Sequence, residues 1–273
     1  METELKNKVV LVTGGAGGIG SEICHAFFKE GARVAVHYRT SQSQADKIVA
    51  NYADAGIAVK ANLTDENEVD EMFDEVENHW GSVEILIANA GAWPKNFAPI
   101  HQMTLSQWQS TITTNLTSMF LSFKRFFQGI QKYGLTHPSG ILIGSTAGLI
   151  GEAGHSDYAA SKSGASVGLL LTLKNEIVHL APQGRVNAIC PGWTETEMIG
   201  KFASNTDLIK KTLQTIPLKK IGSPSDVAKA AIFLSSHALS GHMTGQSLVL
   251  SGGMEGRVLF EKDEIHLGSG RMG

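Results

Sequence analysis

The stretch Val9-Val10-Leu11-Val12-Thr13-Gly14-Gly15-Ala16-Gly17-Gly18-Ile19-Gly20 sets four apolar residues against a run rich in glycine. The apolar half reads as a strand covered on both faces. A helix-like segment, Ser21–Glu30, follows. Gly15, Gly17 and Gly20 satisfy G-x-G-x-x-G, while Thr13, Gly14, Gly18 and Gly20 satisfy T-G-x-x-x-G-x-G. Without a Cβ, glycine permits the tight turn and a close approach of backbone to pyrophosphate, and the helix N-terminus favours the anion. Glycines in a turn are often turn formers and nothing more. Between the first strand and first helix of a βαβ unit, however, the pattern points to a dinucleotide. Gly14, Ala16, Gly17, Gly18, Ile19 and Gly20 would form its cradle.

Working outward, short β-branched runs alternate with longer helical stretches. The strand candidates are Val9–Thr13, Arg33–His37, Ile57–Lys60, Val83–Ala88, Gly140–Gly144, Arg185–Ile189 and Ser247–Leu250. The alternation predicts a doubly wound α/β domain with a mostly parallel, seven-stranded sheet. No repeat or composition shift marks a second domain, so residues 1–254 are expected to form one catalytic domain followed by a tail, 255–273. Two helices carry clear signals. Leu105, Trp108, Ile112, Leu116, Phe120, Phe123, Phe127 and Ile130 recur at helical spacing, behind a capping-box start at Thr104 and Gln107. That stripe reads as core or subunit interface. Ser223-Pro224-Ser225-Asp226 opens a later helix.

Charge narrows the function. Among 273 residues, 23 Lys+Arg stand against 26 Asp+Glu, a net −3, without the basic excess of a nucleic-acid binder. Cys24 and Cys190 are too few for a disulfide framework and lack metal-ligand spacing. Cys190 reads as a small buried hydrophobe. The ten histidines make no H-E-x-x-H or Cys/His cluster, so no catalytic metal is expected. Met1–Lys8 carries no apolar leader, and no apolar run reaches the ~18 residues of a membrane span. The expectation is a cytoplasmic protein without a membrane partner.

The end of the second strand, Val36-His37-Tyr38-Arg39-Thr40-Ser41, lacks the acid that often reads the ribose in NAD binders. Arg39 can pair with a 2′-phosphate, with Thr40 or Ser41 donating hydrogen bonds. The alternative is a solvated loop arginine. The reading favours NADP(H) without forbidding NAD(H).

Chemistry enters with Tyr158-Ala159-Ala160-Ser161-Lys162, where residues four apart share a helix face. A phenol titrates near pH ~10. An ammonium beside it favours phenolate, so Lys162 is expected to pull Tyr158 down toward the working range. Ser145 follows a strand at the sheet end where open α/β folds place ligands, and its hydroxyl can bond a carbonyl oxygen. A lone Y-x-x-x-K has little specificity; its value lies in its place after a glycine loop, an Asn-Ala-Gly turn and a serine.

Thr13–Gly20, Asn89-Ala90-Gly91, Asn115, Ser145, Tyr158-x-x-x-Lys162 and Pro191-Gly192-Trp193-Thr194-Glu195-Thr196-Glu197-Met198 resemble, in order, the motifs of the classical short-chain dehydrogenases/reductases. The likeness runs from about Lys6 to Met254. It is closest in pattern to the β-ketoacyl-acyl-carrier-protein reductases and the related glucose dehydrogenases. The resemblance implies that Tyr158 is the general acid in carbonyl reduction and the base in reverse. It implies that Lys162 tunes Tyr158 and bonds the nicotinamide ribose, that Ser145 orients the carbonyl, and that Asn115 holds a water linking Lys162 to solvent. Asn89, Ala90 and Gly91 would line the adenosine side. Pro191 and Gly192 would shape the backbone under the nicotinamide, and Thr194 and Thr196 would bind its carboxamide. Asn62, before Leu63, stands where the family usually has Asp near the adenine, which weakens that contact. Asp also often precedes the final glycine pair, where this chain has Ser251.

The resemblance further implies a homotetramer built on the Asn115 and Tyr158 helices. Small residues at Ala159, Ala160, Gly164 and Ala165 would permit close helix approach. His155 reads either as a liner of the substrate mouth or as a polar loop residue, and Trp93 and Trp193 as pocket walls or as packing. The tail past Met254 reads as disordered, packed on the surface, or reaching a neighbouring subunit's site. The expected activity is NADPH-dependent reduction of a β-ketoacyl thioester or similar ketone, a small-molecule substrate that the resemblance allows to be carrier-bound. A sugar or polyol dehydrogenase working oxidatively is the alternative, and a catalytically idle dinucleotide sensor is a reading from a different class.

Overall fold

The computed structural model describes residues 2–52, 54–196 and 206–254. Glu197, Met198 and the tail 255–273 lie outside them. Seven strands form one parallel sheet: β1 (Val9–Val12), β2 (Arg33–Tyr38), β3 (Gly56–Lys60), β4 (Ile85–Ala88), β5 (Ser139–Ile143), β6 (Arg185–Pro191) and β7 (Ser247–Leu250). Their order is β3-β2-β1-β4-β5-β6-β7. All seven sequence candidates are strands, with ends moved by one or two residues, as expected of boundaries.

Every residue of β1, β4, β5 and β6 is buried. The pleat sends alternate side chains to opposite faces. Val9 and Leu11 meet Phe73, Phe123 and Phe126 on one side. Val10 and Val12 meet Ile23, Phe27 and Leu234 on the other. Each such apolar side chain contributes about 1.5–3 kcal/mol on burial. Because helices cover both faces, the strands need no polar alternation, and this made them readable.

The helices that matter for the site are α1 (Gly18–Lys29), α2 (Gln42–Ala50), α3 (Glu66–Trp80), α4 (Leu105–Ile112), α5 (Ser118–Tyr133), the short α6 (Ala147–Ile150), α7 (Ser156–Ser163) and α8 (Leu170–Leu180). Between α4 and α5 lies a π turn, Thr113–Thr117, and another, Gly164–Leu169, joins α7 to α8. The first turn interrupts the aromatic stripe. A π turn bonds i to i+5 and inserts a residue, so the periodicity slips. Phe123 and Ile130 are buried, joined by Met119 and Phe126, but Leu105 and Phe120 face outward. The capping box at Thr104 is half made. Thr104 Oγ1 accepts from Gln107 N, while the Gln107 amide donates to Asp157 Oδ2 instead of reaching back. The box at Ser223 and Asp226 is complete. No helix among the described residues is long and apolar enough to cross a membrane.

The sheet's order reverses between β1 and β4. Their carboxyl ends therefore sit side by side, with the following chain leaving to opposite faces, and a crevice opens there. The glycine turn after β1 fills it closely. Gly14 adopts φ +63°, and a Cβ on Gly20 would fall 2.2 Å from the Gly14 carbonyl and 2.7 Å from Asn89 Nδ2. Gly20→Ala is therefore expected to destabilise the fold by about 1–3 kcal/mol, a drop of several degrees in melting temperature by scanning calorimetry. An unchanged melting temperature would show that the turn can make room.

Candidate active site

Side chains from β1 and β4 lace the crevice together. Thr13 Oγ1 accepts from the backbone N–H groups of Asn89 at 2.9 Å and Ala90 at 3.0 Å. The Asn89 amide donates to the Thr13 and Gly14 carbonyls at 3.0 and 3.2 Å. On the far side, Gly14 N donates to His37 Nδ1 at 2.8 Å, and His37 Nε2 lies 3.0 Å from the Ala61 carbonyl. Burial lowers the His37 pKa to about 4. The ring is thus neutral, with Nε2 carrying the proton and Nδ1 free to accept. Helix α1 starts at this turn with no side-chain cap and no acid in its first turn, so its N–H groups and positive dipole end are left for an anion.

A cleft of about 550 Å³ runs along the carboxyl ends of the strands. From the predicted set it is lined by Gly14, Ala16, Gly17, Gly18, Ile19, Gly20, Arg39, Thr40, Asn89, Gly91, Ser145, Tyr158, Lys162, Pro191, Gly192, Thr194 and Thr196. Asn62, Leu63 and Ala90 are not among its walls. Asn62 turns its oxygen to the Thr64 hydroxyl at 2.9 Å, Leu63 is buried in the core, and Ala90 packs against that core. Walls that the sequence did not single out as site residues include His37, Tyr38, Ala92, Ile143, Thr146, Glu152 and Met254. A histidine inside the apolar run Val34-Ala35-Val36 and a carboxylate in a glycine-rich loop were the available signals. Both Trp93 and Trp193 line the cleft. His155 is buried behind Trp93, ring centroids 4.4 Å apart, and is not a wall.

The π turn after α4 carries Asn115, which is fully buried. Its Oδ1 accepts from Ala92 N at 2.7 Å and its Nδ2 donates to the Ala92 carbonyl at 2.9 Å. Both ends of the amide are spent on holding the loop after β4. A Cβ on Gly91 would press on Asn115 Oδ1 at 2.9 Å and Lys162 Nζ at 3.3 Å, so glycine alone lets these two side chains close on the turn. Helix α7 is anchored by Asp157, whose Oδ2 accepts from the Thr111 hydroxyl at 2.7 Å and whose Oδ1 accepts from Tyr158 N at 2.9 Å.

Ser145 follows β5, its Oγ accepting from Ala147 N at 3.1 Å. The Ser145 hydroxyl is near enough to the Tyr158 phenol to lower its pKa. Lys162 Nζ lies 5.9 Å from the Tyr158 ring centre and donates to the Ile143 carbonyl at 2.8 Å. The expected depression of Tyr158 by Lys162 is corrected here. Burial pushes the phenol up to about 12, the Ser145 hydroxyl opposes that, and the Glu152 carboxylate adds to it. The ammonium lies over the ring and bonds the Ile143 carbonyl, and it does not offset desolvation. Lys162 itself falls to about 8, again through burial. The arrangement holds a neutral phenol, a proton donor, beside a serine hydroxyl in a cleft that a dinucleotide's length would fill. Cys190 is buried, with its thiol raised by desolvation. Among the described residues, no group of three or more His, Cys, Asp or Glu is placed to hold a metal.

Comparison with known proteins agrees with this geometry. The family profile described as enoyl-(acyl carrier protein) reductase matches residues 14–255. A Staphylococcus epidermidis protein named 3-oxoacyl-(acyl-carrier-protein) reductase FabG is 35% identical over 254 residues, covering 91% of this chain and 99% of that one. An acetoacetyl-CoA reductase from Cupriavidus necator is 32% identical, covering 92% of this chain and 99% of that one. The crystal structure of gox2181 superposes with a TM-score of 0.86 at 28% identity, covering 93% of this chain and 97% of that one. The chain belongs to the short-chain dehydrogenase/reductase family, oxidoreductases acting on CH–OH and C=O groups.

Proposed function

We propose that this protein uses NADPH to reduce the carbonyl of a β-ketoacyl thioester or similar ketone, with Tyr158 as general acid. The observation that carries the reading is the convergence of Tyr158, Ser145 and Lys162 on the same cleft as the glycine turn and Arg39. The bound cofactor would supply the hydride. The chain's part is to hold and move the proton and to fix the carbonyl. A phenol held near 12 keeps its proton at neutral pH and can deliver it to the oxygen that gains charge. The Ser145 hydroxyl bonds that oxygen, and Lys162, four residues from Tyr158 on one helix face, is in reach of a ribose hydroxyl.

The preference for NADPH rests on the β2 end. Arg39 and Thr40 are exposed on the cleft wall. Helix α2 begins just beyond, its N-cap Ser41 making no side-chain cap and its first turn carrying no acid. A guanidinium and an open helix N-terminus together suit a 2′-phosphate. NAD(H) meets no repelling carboxylate there and would bind more weakly. A homotetramer belongs to the same proposal. It is supported by exposed apolar side chains at Phe120 on α5, Val167 on the second π turn, and Leu171 and Val178 on α8.

Three measurements test these assignments. Tyr158→Phe is expected to lower kcat by about 10²–10⁴-fold on a β-ketoacyl ester while the NADPH Kd stays within a few-fold; turnover near wild type would overturn the acid's identity. Arg39→Ala should shift the ratio of NADPH to NADH binding constants toward NADH by about tenfold or more, and an unmoved ratio would remove the basis for the preference. The third is a stability measurement on Lys162→Met. Burial holds the folded Lys162 pKa at about 8 against 10.5 for the free side chain. Below pH ~8 both states are protonated and the folded state bears the full cost of a buried charge. As pH rises through 10.5 both become neutral and the cost disappears. Lys162→Met, though inactive, should therefore be more stable than wild type at pH ~7 by about 1–3 kcal/mol, with the gain fading between pH ~8 and ~10.5 in denaturant titrations. A pH-independent difference would sink the argument.

A further inference from the structure

The loop between the short α6 and α7 carries a carboxylate, Glu152, on the cleft wall. A loop glutamate is ordinarily solvated and free to turn. Glu152 is instead about 29% exposed and held in place. Its Oε1 accepts from Trp93 Nε1 at 3.1 Å and lies 3.3 Å from His155 Nδ1, too far off line for a hydrogen bond. The His155 ring is buried between Trp93 and Phe97, with centroids 4.4 and 6.0 Å away. The carboxylate is thus pinned by groups from two loops, those after β4 and β5. It also lies within electrostatic reach of Tyr158, since its charge is one of the influences that keep the phenol protonated. In a partly desolvated mouth a fixed charge acts on a ligand's charge far more strongly than in bulk water.

Among the described residues, the His155 imidazole is the ionisable nitrogen within 4 Å of it, and no Lys or Arg pairs with it. Among the described residues lining the cleft, the Lys and Arg side chains are Arg39, on the β2 end beyond β1 and β4, and Lys162, buried and bonded to the Ile143 carbonyl. The walls beside Glu152 are Trp93, Gly151 and Ala147. A ligand carboxylate adjoining the reacting carbonyl would face Glu152 with no free Lys or Arg beside it among the described residues.

We propose that Glu152, held by the Trp93 indole and packed against His155 on the cleft wall it shares with Tyr158, is the specificity residue of the cleft, admitting ketones uncharged around the carbonyl, such as β-keto esters and thioesters, and turning away free keto acids. This rests on the reductase reading above and adds to it the charge class of the substrate. It also places a demand on the reaction upstream. That reaction must deliver the keto group with its acid already masked, as an acyl condensation that retains an ester or thioester does. A reaction releasing a free keto acid would supply nothing this cleft accepts.

The test compares ethyl acetoacetate with the acetoacetate anion, which share the reacting ketone and differ in one charge. Wild type and Glu152→Gln are assayed by NADPH oxidation, and the folding of each is checked by its melting temperature. Glutamine keeps an oxygen for Trp93 and removes the charge. Wild type is expected to favour the ester by about tenfold or more in kcat/KM. The substitution should narrow that ratio about tenfold, through KM for the anion and not through kcat. Added salt should narrow the wild-type ratio in the same direction. Equal use of both ketones by wild type, or an unmoved ratio in Glu152→Gln, overturns the proposal. If neither ketone is reduced, the reductase reading fails, and titrating both into the enzyme–NADPH complex by nucleotide fluorescence still tests the gate. Weaker binding of the anion, relieved in Glu152→Gln, supports it; equal binding overturns it.

Discussion

The crevice exists because β1 and β4 are neighbours in the sheet but not in the chain. Parallel strands must be joined by crossovers, and the crossovers leave β1 and β4 toward opposite faces. A gap between two carboxyl ends follows from that topology. Left alone, it would expose unpaired backbone from both strands. Thr13 and Asn89 close it from below, each using a side chain to satisfy the other strand's backbone. The remaining open side becomes the cleft, and the later site residues are placed relative to this knot.

Polar burial around the knot has a consistent pattern. Asn115, Asp157 and Lys162 are almost wholly removed from water. Asn115 and Asp157 are each fully engaged, with the Ala92 backbone and with Thr111 and Gln107 respectively. Lys162 has one backbone acceptor and a depressed pKa. Two satisfied groups therefore hold α4, the π turn and α7 in register, while the third carries uncompensated desolvation. A buried ammonium short of partners is a cost the fold tolerates at the point where chemistry needs it.

How much of this could be read from sequence follows from the range of the interactions. The sheet was legible because a strand sandwiched between helices is apolar on both faces, so Val9–Val12, Ile85–Ala88 and Ser139–Ile143 stand out without knowledge of their partners. The glycine turn and the Tyr158–Lys162 spacing were legible because they are local. The π turn within the aromatic stripe was not legible, since it leaves no periodic mark in the sequence. The Tyr158 pKa was misjudged for another reason. Spacing shows that Lys162 shares a helix face but not that its amine reaches back to β5, nor how deeply the phenol is buried. The roles of His37 and Glu152 depend on Ala61, Gly14 and Trp93, contacts made across tens of residues. For them, composition offered only the oddity of a charged or polar side chain in the wrong company.

The division between frame and loops bears on what family membership means here. Ser145, Tyr158, Lys162 and the glycine turn are set by strand ends and helix starts, the rigid parts of the fold. Such parts belong to the frame of a family of oxidoreductases acting on CH–OH and C=O groups. Trp93, Glu152 and Trp193 sit on the loops after β4, β5 and β6, where sequence drifts without disturbing the sheet. Those loops meet the rest of the substrate. A carboxylate pinned in one of those loops can narrow what is presented to the cleft without altering the frame that carries it.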